Sequence, residues 1–290
     1  MSEEQQADAR PDATAPQPRK RPPQEDYPVI WVAYGRLLRL FRRKRGLTQQ
    51  ALAEAIEYSS EQVASIEQGR RPAKVSFTEA AERVLEAGSV LVELQEEVDR
   101  AKLPKFFQDF ALIETEAVSR FSYDPLLVPG LLQTEAYTRA LFSSHCPQLD
   151  EETIDMLAEA RINRQKLLTR TPIVQFSFII NEAVLLNSIG GAEVMREQLT
   201  HLLDIARLRN VELQVMPAAS GYHPGLNGGF VLLETLEHQH IGYIESQENG
   251  IVISDPAKVS ALGLRYGKLR SQALNVEESA RLIERLLGAA

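Results

Sequence analysis

The sequence predicts an α+β protein with two domains: an all-helical N-terminal domain of five helices and a C-terminal α+β domain with a mainly antiparallel sheet. Apolar residues recur at helical spacing between residues 31 and 103, whereas β-rich runs alternate with helical patterns only further along the chain. Pro104 marks the boundary, because proline disfavours a helical residue before it. We therefore expect domains at residues 27–104 and 105–290.

Composition narrows the class of protein before any motif is considered. Hydrophobic residues make up 44% and charged residues 25% of the chain, which excludes a fibrous or wholly disordered protein. The single cysteine, Cys146, excludes an intramolecular disulfide framework and suits a reducing compartment. No apolar run approaches the length of a membrane span, and the N-terminus lacks the apolar segment of a signal peptide. We expect a cytoplasmic protein without a membrane anchor.

Residues 1–26 differ in composition from the rest of the chain. They contain five prolines and no aromatic residue. Such a segment cannot bury enough apolar surface to offset its conformational entropy. It is therefore predicted to be a disordered tail.

The N-terminal helices follow from apolar spacing and from residues that begin or end helices. Thr48 can cap the second helix, and Ser59 or Ser60 the third, because a side-chain oxygen there accepts from a free backbone N–H. Gly46 and Gly69 follow the first and third helices. The five predicted helices cover residues 32–45, 49–56, a third segment ending at 68, 76–87 and 90–103.

The C-terminal domain alternates helical and β-rich patterns. Helices are predicted at residues 106–118, 133–144, 151–170, 192–209, 256–271 and 276–287. Strands are predicted at residues 173–180, 211–216, 229–234, 241–246 and 251–254. Turn residues between the last strands favour a hairpin, which underlies the expectation of a mainly antiparallel sheet.

Charge is distributed unevenly along the chain. The net charge is −8, but residues 31–78 carry nine basic and four acidic side chains, a local net charge of +5. Residues 79–290 carry a net charge of −11. A basic block within an acidic chain indicates that this segment meets an anion.

A helix-turn-helix is predicted over residues 49–68. Ala53 supplies the small residue that lets its two helices cross, and apolar side chains supply the inner faces. In this motif the second helix lies in the major groove of double-stranded DNA and presents its outward N-terminal residues to base edges. The candidate base contacts are Ser60, Glu61, Gln62 and Ser65, and the candidate phosphate contacts are Gln49, Arg70, Arg71 and Lys74.

Two of these features have a second interpretation. The basic first helix could be a solvated or membrane-surface face rather than part of a DNA-binding unit. Glu61 could accept a hydrogen bond from cytosine N4. A glutamate in the first turn also stabilises a helix N-terminus without contacting any base.

The same segment resembles the XRE, or phage-repressor-type, helix-turn-helix over residues 34–90, on the string RLLRLFRRKRGLTQQALAEAI…SSEQVASIEQGRRP. The resemblance implies that Arg42 and Glu67 form a structural ion pair, so that Glu67 is not a base contact. The chain departs from the family at Glu57, where the turn usually has glycine. A left-handed non-glycine residue costs about 1 kcal/mol, so we expect this turn to adopt a different local shape.

The C-terminal domain resembles that of actinobacterial WhiJ-like regulators over most of residues 105–288. The strings that carry the resemblance include FSYDPLLVPGLLQTEAYTRALF, GGAEVMREQLTHLL, LQVMP and YIES. One branch of that family is described as antitoxin-like, and members often sit beside a gene for a small partner protein. The resemblance therefore implies a partner protein for this domain.

The C-terminal domain offers few other candidate functional residues. Tyr222 and His223 lie in a long glycine-rich loop that could contact a ligand or partner, although the loop could equally be a plain surface connection. His238 and His240 could chelate a metal from one side of a strand, but no motif supplies further ligands. We predict no metal site, no cofactor and no catalytic activity.

Together these patterns predict a sequence-specific transcriptional regulator that binds double-stranded DNA as a homodimer. The C-terminal domain would sense a partner protein or a ligand. The alternative is an antitoxin-like module that sequesters a small partner and regulates its own gene. Because the C-terminal domain is acidic, we expect it to face away from the duplex.

Overall fold

The computed structural model describes residues 27–247 and 249–289. The predicted disordered tail, residues 1–26, lies outside the described residues. The helical N-terminal part consists of α1 (Val29–Lys44), α2 (Gln49–Ala55), α3 (Ser60–Glu67), α4 (Val75–Leu85), α5 (Val90–Glu93) and α6 (Gln95–Arg100). Where the sequence predicts one helix over residues 90–103, the structure has α5 and α6, which are separated at Leu94.

Side-chain caps fix the ends of the two central helices. The Thr48 hydroxyl accepts a hydrogen bond from the Ala51 N–H at the start of α2. At the start of α3, Ser59 and Gln62 form a reciprocal capping box, which satisfies two backbone N–H groups. The six helices pack around one buried core, whose largest fully buried members are Tyr34, Leu38, Leu52, Phe77 and Leu91.

The turn between α2 and α3 contains a left-handed residue that is not glycine. Glu57 has φ of 60°, so the expectation of a different local shape at this turn is wrong. The chain keeps the left-handed conformation and accepts its steric cost. The Tyr58 N–H donates a hydrogen bond to the Ala53 carbonyl, and Ile56, the residue before Glu57, is buried in the core.

The C-terminal part contains six strands and seven helices within the described residues. The strands are β1 (Ala117–Asp124), β2 (Gln175–Asn181), β3 (Val211–Met216), β4 (Phe230–Thr235), β5 (His240–Ser246) and β6 (Asn249–Ile253). The helices are α7 (Lys105–Thr115), α8 (Glu135–Ser143), α9 (Glu151–Arg164), α10 (Glu182–Leu186), α11 (Ala192–Ile205), α12 (Pro256–Gln272) and α13 (Val276–Ala289).

The strands form one mixed sheet in the order β3-β2-β1-β4-β5-β6. β1 pairs with β2, and β2 with β3, in parallel, whereas the β1–β4, β4–β5 and β5–β6 pairs are antiparallel. The predicted mainly antiparallel sheet is therefore corrected to a mixed one. One of the two parallel pairs involves β1, a strand that was not predicted because the buried Arg120 and Ser122 interrupt its apolar pattern. The other joins β2 and β3, which were predicted as strands without their direction.

Helices cover both faces of the sheet. On one face, α8, α11 and α13 pack against Phe176, Phe178 and Ile180 of β2. On the other face lies α12, whose Tyr266 hydroxyl donates to the Ser177 carbonyl at 3.0 Å. α7 packs beside β4 and β5, where the Phe110 ring stacks on Tyr243. This arrangement brings α7, α9 and the polar face of β1 together.

The left-handed conformation of Glu57 generates a stability prediction. We expect Glu57→Gly to raise the free energy of unfolding by up to about 1 kcal/mol, because glycine removes the steric cost of the turn. The greater freedom of glycine in the unfolded chain reduces this gain. Urea unfolding measures the change. Glu54→Gly, in the last turn of α2, is the control with ordinary helical backbone and should lower stability by up to about 1 kcal/mol. A loss of stability in Glu57→Gly would contradict the argument.

Candidate nucleic-acid interface

Helices α2 and α3 form a helix-turn-helix whose second helix begins with exposed polar residues. Ala53 is buried where the two helices cross, and Val63 and Ile66 turn into the core. Ser60 and Glu61 are exposed at the start of α3. This is the part of the helix that faces base edges when a helix-turn-helix enters the major groove.

Arg42 and Glu67 form a buried bidentate ion pair between α1 and the end of α3. Arg42 Nε donates to Glu67 Oε1 at 2.5 Å, and Nη2 donates to Oε2 at 2.9 Å. The two side chains are 9% and 2% exposed. The hydrogen bond to Glu67 raises the pKa of Arg42, so the guanidinium stays charged. In this position Glu67 fixes α3 to α1.

Two of the candidate DNA contacts on α2 and α3 have other partners in this structure, and a third is buried. Gln49 Nε2 donates to Glu67 Oε2 at 2.7 Å, which adds Gln49 to the ion pair. The Gln62 side chain accepts from the Ser59 N–H in the capping box. Ser65 is only 8% exposed. Ser60, Glu61 and Gln62 are exposed to solvent, but Gln62 is engaged in the capping box.

The basic residues after α3 face an acidic helix of the C-terminal domain. Arg71 forms an ion pair with Glu152 of α9, and Lys74 Nζ lies 3.2 Å from Glu159 Oε2 on the same helix. Arg70 is exposed beside them. Two of the three basic candidate phosphate contacts thus already pair with carboxylates.

A cleft of about 910 Å³ lies between this basic segment and α9. Glu61, Gln62 and Ser65 line one wall, and Asp150 and Asp155 line the other. Met156 of α9 packs against the core of the helical domain, so the contact between the domains has an apolar part as well. The expectation that the acidic domain faces away from a duplex stays a prediction. In the structure without DNA, α9 lies against Arg71 and Lys74, two of the candidate phosphate contacts.

The sequence predicts α9 as a helix but does not predict its contact with the basic segment after α3. Glu152, Asp155 and Glu159 are spaced by three and four residues, which places their carboxylates on one face of the helix. That spacing is a readable signal for an acidic face. It does not say which basic residues the face meets, because they lie about eighty residues away in the chain.

The other candidate loop residues are not brought together. Tyr222 is 78% exposed, whereas His223 is 3% exposed and its ring lies 5.9 Å from that of Tyr123. His238 Nδ1 pairs with Glu234 Oε1 at 2.7 Å.

Among residues 27–247 and 249–289, no group of three or more His, Cys, Asp or Glu side chains could hold a metal ion. Over the same residues, none of the helices combines the length and apolarity needed to span a bilayer.

The Arg42–Glu67 pair predicts a stability effect. We expect Glu67→Ala to lower the free energy of unfolding by about 3–5 kcal/mol, because it leaves a buried guanidinium without its carboxylate. Denaturant unfolding measures the loss. Glu61→Ala on the same helix is the exposed control and should change stability by less than about 0.5 kcal/mol. Unchanged stability in Glu67→Ala together with lost DNA binding would show that Glu67 contacts DNA directly.

Comparison with solved structures finds a likeness over about a quarter of the chain. Two crystal structures of the clp gene regulator ClgR from Corynebacterium glutamicum are each 28% identical to this chain. The alignments cover 25% and 26% of this chain and 79% and 99% of those chains, each with a TM-score of 0.22. A comparison with curated proteins finds no match.

Comparison with protein families matches both parts of the chain. A helix-turn-helix domain model matches residues 33–95, which include α2 and α3. A model described as a domain of unknown function, DUF5753, matches residues 107–285. The narrower resemblance to WhiJ-like regulators stays a prediction. Because the second match spans more than half of the residues, the chain belongs to the DUF5753 family and carries a helix-turn-helix domain before that domain.

Proposed function

We propose that this protein is a sequence-specific DNA-binding transcriptional regulator without catalytic activity. The observation that carries the proposal is the capped helix α3, which presents Ser60 and Glu61 to solvent and is followed by Arg70, Arg71 and Lys74. A helix that reads base edges beside a cluster of cations that hold phosphates is the arrangement of a helix-turn-helix protein on DNA. The match to a helix-turn-helix family supports it.

The proposed complex places the N-terminal end of α3 in the major groove. Ser60 and Glu61 contact base edges, and Arg70, Arg71 and Lys74 contact phosphates. Gln49 and Gln62 join them only if their present hydrogen bonds are exchanged, and Ser65 only if it becomes more exposed. We further propose a homodimer on two half-sites, the usual arrangement for this motif.

Binding in this way requires α9 to move from the basic segment. The Arg71 and Glu152 side chains are 46% and 56% exposed, and those of Lys74 and Glu159 are 63% and 31% exposed. Exposed ion pairs contribute about 0–1 kcal/mol each. Specific DNA binding exceeds non-specific binding by about 4–10 kcal/mol. A specific site can therefore displace α9, whereas the closed arrangement weakens non-specific binding.

The C-terminal domain is proposed to control this closure by sensing a partner protein or a ligand, in the cytoplasm. The WhiJ-like resemblance supports a small partner encoded by a neighbouring gene. The alternative function, an antitoxin-like module that sequesters that partner and autoregulates, rests on the same resemblance. A partner that copurifies at fixed stoichiometry would favour the alternative.

The contact with α9 predicts a gain of function. We expect Glu152→Gln/Glu159→Gln to bind DNA about three- to tenfold more tightly, because it removes the exposed ion pairs of Arg71 and Lys74 that compete with phosphate. The change at Glu159 also removes its 3.8 Å ion pair with the buried Lys102. Fluorescence anisotropy on a duplex selected by the wild-type protein measures the affinity. Glu151→Gln/Glu193→Gln changes the net charge equally at exposed positions outside the contact. The affinity of this control pair should be close to that of the wild type. Equal gains in both variants would refute the covering role of α9.

A second pair of variants separates phosphate contacts from base contacts. Arg70→Ala should weaken binding to all sequences and reduce the salt slope by up to about 0.9, because one phosphate contact is lost. Glu61→Ala should instead change the preference at one or two base positions. Selection from a random duplex library reads the preference, and anisotropy at two salt concentrations reads the slope. An unchanged preference would remove Glu61 from the base contacts, and a full-length protein that selects no sequence would refute the proposed function.

A further inference from the structure

The C-terminal domain contains a second cavity, remote from α3, that no part of the DNA-binding proposal uses. Its volume is about 290 Å³, and it lies between α7, α9, the loop after β1 and the end of β5. Its apolar walls include Phe107, Leu126 and Phe142, and its polar groups include Arg161 and Asp124. Apolar walls with a few convergent polar groups are typical of small-molecule sites.

Arg161 of α9 is a cation at this cavity without a carboxylate partner. Its Nη1 donates to Gln133 Oε1 at 2.9 Å, and its guanidinium lies over the Phe142 ring at 4.5 Å. None of the described residues supplies a carboxylate within ion-pairing distance of it. Burial, assisted by the nearby charge of Arg164, lowers the pKa of Arg161 to about 10. The charge of Glu245, which lines the same cavity, acts on Arg161 in the opposite sense but forms no ion pair with it. The guanidinium can therefore still accept an anion.

The two neighbouring arginines differ from Arg161 because both form an ion pair with the same carboxylate. Glu114 of α7 accepts from Arg120 Nε at 2.8 Å and from Arg164 Nε at 2.7 Å. Arg120 Nη1 also donates to the Ser122 hydroxyl. One buried carboxylate thus occupies two guanidinium groups. The third guanidinium is left to face the cavity.

The acidic groups at the other side of the cavity do not replace the missing partner. Burial raises the pKa of Asp124 to about 6, and its carboxylate accepts from the Ser122 hydroxyl at 2.6 Å. Glu245 accepts from the Tyr243 hydroxyl at 3.1 Å. An anion bound at Arg161 would raise the pKa of Asp124 further, so the acid can become a hydrogen-bond donor to the same ligand.

We propose that this cavity binds a small organic carboxylate, with Arg161 holding the carboxylate group and the phenylalanine walls holding an apolar body. The planar guanidinium suits a carboxylate, which can accept two parallel hydrogen bonds from it. The volume lies at the small end of the range for ligand pockets, which favours a compact acid with one ring or a short chain. The site deepens the proposed sensing role, but its binding chemistry does not depend on DNA binding.

The test measures binding to the full-length protein in the absence of DNA. The probes are phenylacetate and indole-3-acetate, each paired with its neutral primary amide. Saturation-transfer NMR detects binding, and calorimetry gives the affinity. We expect the acids to bind about ten- to a hundredfold more tightly than the amides, which is the worth of a charge-assisted hydrogen bond. Arg161→Gln should abolish this preference. Arg196→Gln, at an exposed position of α11, should keep it.

The outcomes separate this site from the proposed function. Equal affinity for an acid and its amide, or no binding of either acid at millimolar concentration, would overturn the proposal. So would an unchanged preference for the acids in Arg161→Gln. The comparison of acid with amide uses the wild-type protein and holds even if that variant fails to fold. None of these results depends on whether the chain binds a duplex.

Discussion

The buried carboxylate of Glu114, on α7, holds three elements of the C-terminal domain together. Its side chain is 1% exposed and bridges Arg120 on β1 to Arg164 on α9. Although burial opposes ionisation, the guanidinium groups of Arg164 and Arg120 lower the pKa of Glu114, so the bridge is ionic. A carboxylate removed from such a site leaves uncompensated buried charge, at a cost of several kcal/mol. Through this bridge α7, the central strand and α9 take fixed positions.

The position of α9 connects the two halves of the molecule. Glu152 and Glu159 of α9 pair with the basic segment after α3, whereas Arg161 and Arg164, in its last turn, line the cavity beside β1. A helix of fourteen residues is about 21 Å long. The contact with the basic segment extends from the first turn of α9 to Glu159, so it ends two residues before Arg161 of the proposed ligand site.

Local sequence signals predict the helices of the N-terminal domain well. They do not predict ion pairs between residues that lie far apart in the chain. Apolar spacing and the caps Thr48 and Ser59 locate α2 and α3 to within a residue or two. β1 was missed because its buried face is polar, and a polar face becomes favourable only through partners such as Glu114 that lie outside the strand. The contact between α9 and the basic segment was not predicted, because the net charge of a whole domain does not show that one of its helices carries an acidic face that fits a basic segment elsewhere. The turn at Glu57 shows the converse, in which the surrounding fold overrides a local preference.

The charge pattern of α9 satisfies the helix itself as well as the neighbouring domain. Asp150 caps the helix, Glu151 and Glu152 occupy its first turn, and Arg161 and Arg164 occupy its last turn. Acids at the N-terminus and bases at the C-terminus complement the helix macrodipole, by about 0.3–1 kcal/mol per charge. Glu152 therefore serves the helix and the interdomain contact together. Glu159 lies beyond the first turn, where a negative charge does not stabilise the N-terminus of the helix. A substitution at Glu159 therefore changes the contact with the basic segment without changing the stabilisation of α9 by its own charges.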